Sequence, residues 1–218
     1  MILKDIEYKI KNILYQLYKF FLYKYRFIKL KVAVFNNKNL KIILGAATTS
    51  QDGWYSTNEQ WFDIRNARHW KKIFKHKDTI SNLLSEHVFE HLTFKELENT
   101  LKLSNNYLKK GGKLRIAVPD GYNPHDEYIQ NVKIEGIGAD AQDHKQLLNY
   151  DILKKLLINN NFECFLLEGY KNNKLIINKF SDYDGYIIRT RKRDRKSKDS
   201  KWNFIDSNTS LIIDAIKK

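Results

Sequence analysis

Lys109-Lys110-Gly111-Gly112-Lys113-Leu114-Arg115-Ile116-Ala117-Val118-Pro119-Asp120-Gly121 is the stretch on which the reading of this chain turns. Leu114 to Val118 is rich in branched apolar residues and reads as a strand. Proline has no backbone N–H to continue a ladder, so Pro119 stops it. Upstream, Thr93 with Glu96 three residues later is a capping box, which predicts a helix over 93–108. The Gly111-Gly112 pair is expected to end that helix, because glycine takes a left-handed cap readily. Asp120 then stands at the carboxyl end of a strand, as a base or hydrogen-bond partner, or as ordinary turn chemistry.

The same alternation extends outward. Leu40-Lys41-Ile42-Ile43-Leu44-Gly45 reads as a buried strand closed by glycine, and Gly53-Trp54-Tyr55-Ser56-Thr57 as a second, short one. A helix or turn is expected over 65–76 and a third strand over 79–84. Downstream, a loop runs to about Lys145. A helix capped by Asn149 or Asp151 follows, to Asn159. Then come a strand over 162–167, a hairpin within 174–189 around Asp182-Tyr183-Asp184-Gly185, and a closing strand over 210–216. Strands alternating with helices imply an α/β domain with a mostly parallel, Rossmann-like sheet of about seven strands and helices on both faces. Ligands of such sheets bind beyond the carboxyl ends of the strands. That directs attention to Gly45, 57–59, 85–91 and 119–126.

Residues 2–22 place Leu3, Ile6, Ile10, Ile13, Leu14, Leu17, Phe20 and Phe21 on one helical face between lysines, an amphipathic helix. Residues 1–36 are expected to form a basic helical arm and 37–218 the α/β domain. Of the formal charge of +14, +6 lies in residues 1–35 and +6 in 189–201, a basic segment without apolar period that reads as a loop. Concentration in two segments, without a nucleic-acid motif, speaks against a nucleic-acid partner. Lysines interrupt every apolar run, so no stretch approaches the roughly 20 residues of a membrane span. Cys164 stands alone, which excludes an internal disulfide and an all-cysteine zinc site.

Three further segments carry chemistry. Leu44-Gly45-Ala46-Ala47 ends the first strand in small residues that let a ligand approach the backbone, or form a plain glycine turn. Ser85-Glu86-His87-Val88-Phe89-Glu90-His91-Leu92 follows a buried strand. Its histidines, four apart, invite a zinc reading, but Val88 stands where a metalloprotease has glutamate and no third ligand is evident, so no metal is expected. Gly136-Ile137-Gly138-Ala139-Asp140-Ala141-Gln142-Asp143-His144 is a polar loop of the kind that closes over a site. In it His144 is a titratable candidate or a surface histidine.

In order, these elements resemble the class I S-adenosylmethionine-dependent methyltransferases. More narrowly, they resemble a bacterial subgroup associated with surface-polysaccharide genes that also begins with a basic helical arm. The resemblance spans about 40–216. It implies S-adenosyl-L-methionine as cofactor, with Gly45, Ala46 and Ala47 along its methionine part, Asn58 and Glu59 toward the ribose, Asp63 on the adenine side, and Glu86 and His87 near the sulfonium and the acceptor. Ala47 departs from the family's second glycine, and Asn58 precedes the acid. The implied function is O-methylation of a sugar or other small acceptor, with His87, then Asp120, then His144 as base. The rivals are an inactive methyltransferase-fold protein that binds a membrane or partner, and an RNA methyltransferase. Expected partners are a small-molecule or glycan acceptor, an anionic membrane surface for residues 1–35, and a second copy of the chain. The expected location is cytoplasmic or peripheral on the inner membrane face.

Overall fold

The computed structural model describes residues 2–36, 39–138, 141–188 and 210–218; the expected basic loop at 189–201 lies outside the described residues. The amphipathic stripe runs further than the expected 2–22. Helix α1, Ile2–Asn36, has 35 residues and is about 50 Å long at 1.5 Å per residue. Its two ends differ. Leu30 and Ala33 are buried, while Ile6, Ile10, Ile13, Leu14, Leu17, Phe20 and Phe21 are exposed. Phe27 meets Trp61 edge-on at 5.5 Å. The segment is thus an arm at its start and part of the core at its end.

Seven strands follow: β1 Leu40–Leu44, β2 Tyr55–Ser56, β3 Ile80–Glu86, β4 Leu108–Pro119, β5 Phe162–Lys171, β6 Lys174–Ile177 and β7 Ser210–Lys217. The other helices are α2 Ala67–Phe74, α3 Phe94–Tyr107, α4 Asp126–Val132 and α5 Tyr150–Asn159. The sheet order is β2-β1-β3-β4-β7-β5-β6. β1, β2, β3 and β4 pair in parallel. β7 is inserted antiparallel between β4 and β5, so β5 points with the first four. This is the expected Rossmann-like sheet.

Both cap assignments hold: Thr93 and Glu96 form the capping box of α3, and Asn149 caps α5. Three local expectations do not. The Gly111-Gly112 pair does not end α3, which stops at Tyr107 as β4 begins. Gly111, at φ +73°, lies where the β3–β4 register jumps from Ile80 opposite Leu108 to Asn82 opposite Lys113. A Cβ on Gly112 would come within 2.8 Å of Lys109 O, so the glycines make an irregularity inside a strand. The hairpin turns at Asn172 and Asn173, at φ +50° and +59°, the left-handed pair a two-residue turn requires. Asp182–Asp184 is a 3₁₀ turn instead. Helix α4 lies inside the expected loop.

Helices cover one face of the sheet. Leu30, Trp70, Phe74, Leu97, Leu101, Leu153 and Leu157, from α1, α2, α3 and α5, share one apolar cluster with the strand residues Leu40, Ile42, Leu44, Leu114, Ile116 and Ile213. Alternate strand residues, Ile43, Leu84, Ala117 and Ile212, form a second cluster with Trp54 and Ile187, which among the described residues contains no helical member. Among the described residues, the helical members of these two clusters all belong to the first. The cause lies in the crossovers. Right-handed connections that step in one direction along a sheet lie on one face. Those from β2 to β3, β3 to β4 and β4 to β5 all step the same way. Of the connections that join β1 through to β5, the β1–β2 connection alone steps back, and at 45–54 it carries no helix.

The segment 178–188 covers the second face. Arg115 is fully buried and pairs across the β4–β7 ladder with Asp214 through Nε–Oδ1 at 2.7 Å and Nη2–Oδ2 at 2.9 Å. Its Nη1 donates to Ser181 O at 2.7 Å and Gly185 O at 2.8 Å. Lys113 Nζ also lies 3.3 Å from Asp214 Oδ2, but removing either member of the Arg115–Asp214 pair breaks the bidentate bond that compensates a buried charge. Asp214→Asn and Arg115→Met are each expected to cost about 3–5 kcal/mol in urea unfolding. A paired apolar replacement of both should recover most of that loss.

Candidate functional site

The ends of β1, β2 and β3 open on a cleft of about 410 Å³, within the range of small-molecule sites. Gly45, Ala47, Asn58, Glu59, Asp63 and His87 line it, as do His91, Asp143 and Lys145. Six of the residues expected around a cofactor therefore meet in one place, although they span more than forty positions.

Strained backbone shapes this floor. Gly45, Ala47 and His87 have φ of +58°, +46° and +51°, a region that costs a residue with a Cβ about 1–2 kcal/mol. At Gly45 a Cβ would also meet Val88 Cγ2 at 2.8 Å, so packing against Val88 by itself requires glycine here. Ala47 sits in the conformation where glycine is favoured. Arg26 of α1, itself buried, holds this loop by donating to Ala47 O at 2.7 Å, Thr48 O at 3.1 Å and Thr49 O at 2.9 Å. Burial lowers the pKa of its guanidinium. Nothing in the sequence pattern singled out this arginine among the arm's lysines.

On the acidic side, Arg65 gathers the carboxylates. Its Nε donates to Asp63 Oδ1 at 2.8 Å, and its Nη2 bonds Glu59 Oε1. Burial pushes Asp63 up, but the bonds from the Arg65 side chain and backbone outweigh it and hold the carboxyl below its ordinary value.

His87 Nδ1 faces Glu90 Oε1 at 3.1 Å, and Ser210 Oγ lies 3.4 Å from its Nε2. Burial of Glu90 would raise its pKa. The hydrogen bond and electrostatic interaction with His87 outweigh that and hold the carboxyl below its ordinary value. A carboxylate against Nδ1 fixes the proton there and leaves Nε2 as the basic nitrogen.

The remaining candidates lie outside the cleft lining. Ala46 is buried in the second apolar cluster. Glu86 is buried, and its Oε2 accepts from Ile188 N at 3.1 Å. Asp120 is fully buried and accepts from Tyr122 N at 2.9 Å and Tyr170 N at 2.6 Å. Burial raises its pKa despite those bonds. His144 is buried behind His91, its Nδ1 2.7 Å from Val132 O. Cys164 lies in β5, its thiol pushed up to about 11 by burial.

No protein-family model and no curated protein matches the sequence. Solved structures with a similar chain course include a SAM-dependent methyltransferase from Archaeoglobus fulgidus, at 14% identity and a TM-score of 0.49, covering 93% of this chain and 94% of that one. A SAM-dependent methyltransferase from Thermotoga maritima is 12% identical with a TM-score of 0.48, over 95% and 97%. One from Mesorhizobium loti is 10% identical with a TM-score of 0.47, over 82% and 90%. These likenesses concern the course of the chain.

Asp120 acts as a strut in this structure, tying the end of β4 to β5. Asp120→Ala should remove the acceptor of the buried Tyr170 N–H and of the half-buried Tyr122 N–H and lower stability by about 2 kcal/mol in chemical denaturation. Ligand binding in the cleft should be retained wherever the variant is folded.

Proposed function

We propose that this chain transfers a methyl group from S-adenosyl-L-methionine to a hydroxyl of a small acceptor, a sugar being the leading candidate. The observation that carries this reading is the cleft at the carboxyl ends of β1, β2 and β3, which Gly45, Ala47, Asn58, Glu59 and Asp63 line together with His87, itself backed by Glu90. The residues present fit such a cofactor. The volume is adequate, the loop after β1 is fastened by Arg26, and acids stand after β2 where ribose hydroxyls would need acceptors. Glu59 is exposed and has to turn from Arg65 to serve.

When bound, the cofactor supplies an activated methyl on a sulfonium. The chain's own part is alignment and proton handling. The acceptor O–H gives its proton to His87 Nε2, while Nδ1–H is held by Glu90 Oε1. The ionised Glu90 stabilises the imidazolium that forms.

S-adenosylmethionine should bind with a Kd in the micromolar range, about −8 kcal/mol by calorimetry. Undetectable binding at millimolar ligand would turn the reading toward a non-catalytic protein. His87→Ala should lower turnover about 10²-fold with little change in cofactor affinity. Ala47→Gly, which relieves the left-handed alanine, should tighten cofactor binding without loss of stability.

The exposed start of α1 supports a partner for the arm. Its apolar side chains lie beside lysines, the pairing of an interfacial helix on an anionic bilayer. The full chain should float with anionic liposomes at low salt and dissociate as salt rises. A chain lacking residues 2–20 should stay folded, because residues 6–20 are exposed apart from a half-buried Lys19. Retention of the full chain in the soluble fraction would leave a second copy as the arm's partner.

A further inference from the structure

Behind His87, the 3₁₀ turn Phe89–His91 carries Glu90 and His91, and the segment 141–148 is laced to it. Lys145 N and Gln146 N both donate to Glu90 O, at 2.8 and 3.3 Å. Gln146 Nε2 donates to Phe89 O at 3.1 Å and Leu92 O at 2.7 Å. This lacing delivers His144 onto His91, the two rings edge-on with centroids 4.9 Å apart. One potential ligand atom each from Glu90, His91 and His144 lies within 4.8 Å of the others.

Three details mark these groups as donors facing one another. Glu90 is 2% exposed, and while Oε1 meets His87, Oε2 is buried with no hydrogen-bond partner among the described residues. A buried carboxylate oxygen left in this way is costly unless a proton or a cation completes it. His144 Nδ1 lies 2.7 Å from Val132 O. A carbonyl only accepts, so Nδ1 carries the proton and Nε2 keeps its lone pair. The same outer hydrogen bond sets the tautomer of metal-bound histidines. His91 Nδ1 is buried without a hydrogen bond, although Asp143 Oδ1 is 3.0 Å away.

We propose that Glu90, His91 and His144 form a binding site for a divalent transition-metal ion of the zinc type. Two imidazoles and one carboxylate are the donor set of zinc sites that keep a further coordination position for water or a ligand. Hard cations such as Mg²⁺ and Ca²⁺ prefer oxygen alone and are disfavoured here. With bonds of about 2.0–2.1 Å, a tetrahedral site has edges of about 3.4 Å, so side-chain movements on the order of 1 Å close the set. His91 is the member that lines the cleft, so the remaining coordination position lies on the cleft side. The ion would also pin 141–148 to the turn. The sequence hid this site because its third donor stands more than fifty residues beyond His91, and only the lacing of 141–148 brings it in.

The test uses the full, untagged chain, stripped with chelator and titrated with Zn²⁺ by calorimetry and with Co²⁺ by visible absorption. One equivalent should bind with micromolar or tighter affinity, and Co²⁺ should develop the d–d bands of a four- or five-coordinate site. Glu90→Gln and His144→Asn should each weaken Zn²⁺ binding about tenfold or more, with the metal-free circular dichroism unchanged. X-ray absorption on the zinc-loaded wild-type chain, which needs no variant, should show two imidazoles. Absence of saturable binding at about 1 mM Zn²⁺, wild-type affinity in both variants, or a bound ion with fewer than two imidazoles would overturn the proposal. No S-adenosylmethionine is present, so this outcome is independent of the methyl-transfer reading.

Discussion

The buried pairing of Arg115 with Asp214 is the interaction on which the second face of the sheet depends. Taking both charges out of water is expensive, and only good geometry offsets it. Here the fork is bidentate, and the remaining guanidinium donor is met by two carbonyls. The two residues stand directly opposite in the β4–β7 ladder. A one-residue slip would turn Asp214 to the helical face and leave Arg115 buried alone. The pair therefore pins the register of the strand that is inserted against the direction of its neighbours. Its capture of Ser181 O and Gly185 O seats the segment that replaces helices over this face. That segment reaches further, since Gln51 exchanges hydrogen bonds with the backbone of Tyr186 and Glu86 Oε2 receives Ile188 N.

The cleft is built the opposite way, with backbone strain accepted at several points and fastened from outside. Gly45, Ala47 and His87 all take left-handed conformations, which persist only where the surroundings over-determine them. Arg26 grips the first loop from α1, and His87 N is held by Ala117 O at 2.9 Å. The inner end of α1 is thus structural as well as buried, while the side chains of its outer end face solvent. A single helix joins a solvent-facing stripe to the floor of the candidate site.

Sheet, capping and arm were legible because they rest on local periodicity: apolar runs broken by glycine or proline, Thr93 with Glu96, Asn149 before α5, and lysines interleaved with isoleucines. Where local signals compete they misled. Gly111-Gly112 suits a helix stop and a strand irregularity equally, and β3 decided the matter by pairing with Leu108 and then with Lys113. The Asp-Tyr-Asp-Gly stretch looks like a hairpin turn, yet the Asn172-Asn173 pair made the tighter left-handed turn between complementary strands.

By itself, then, the sequence determined the α/β alternation, the closing strand, the basic arm and the cluster of small and acidic residues at strand ends, because each is written within a few turns of chain. The tertiary structure alone decided which of those groups meet. Asp120 and Glu86 stand at strand ends as expected, but the backbone N–H groups of Tyr170 and Ile188, from distant segments, claim them. Glu90 becomes the partner of His87. His144 reaches His91 through backbone bonds to a turn some fifty residues away. Contacts of that separation depend on how crossovers lay segments over the sheet, which no local spacing encodes.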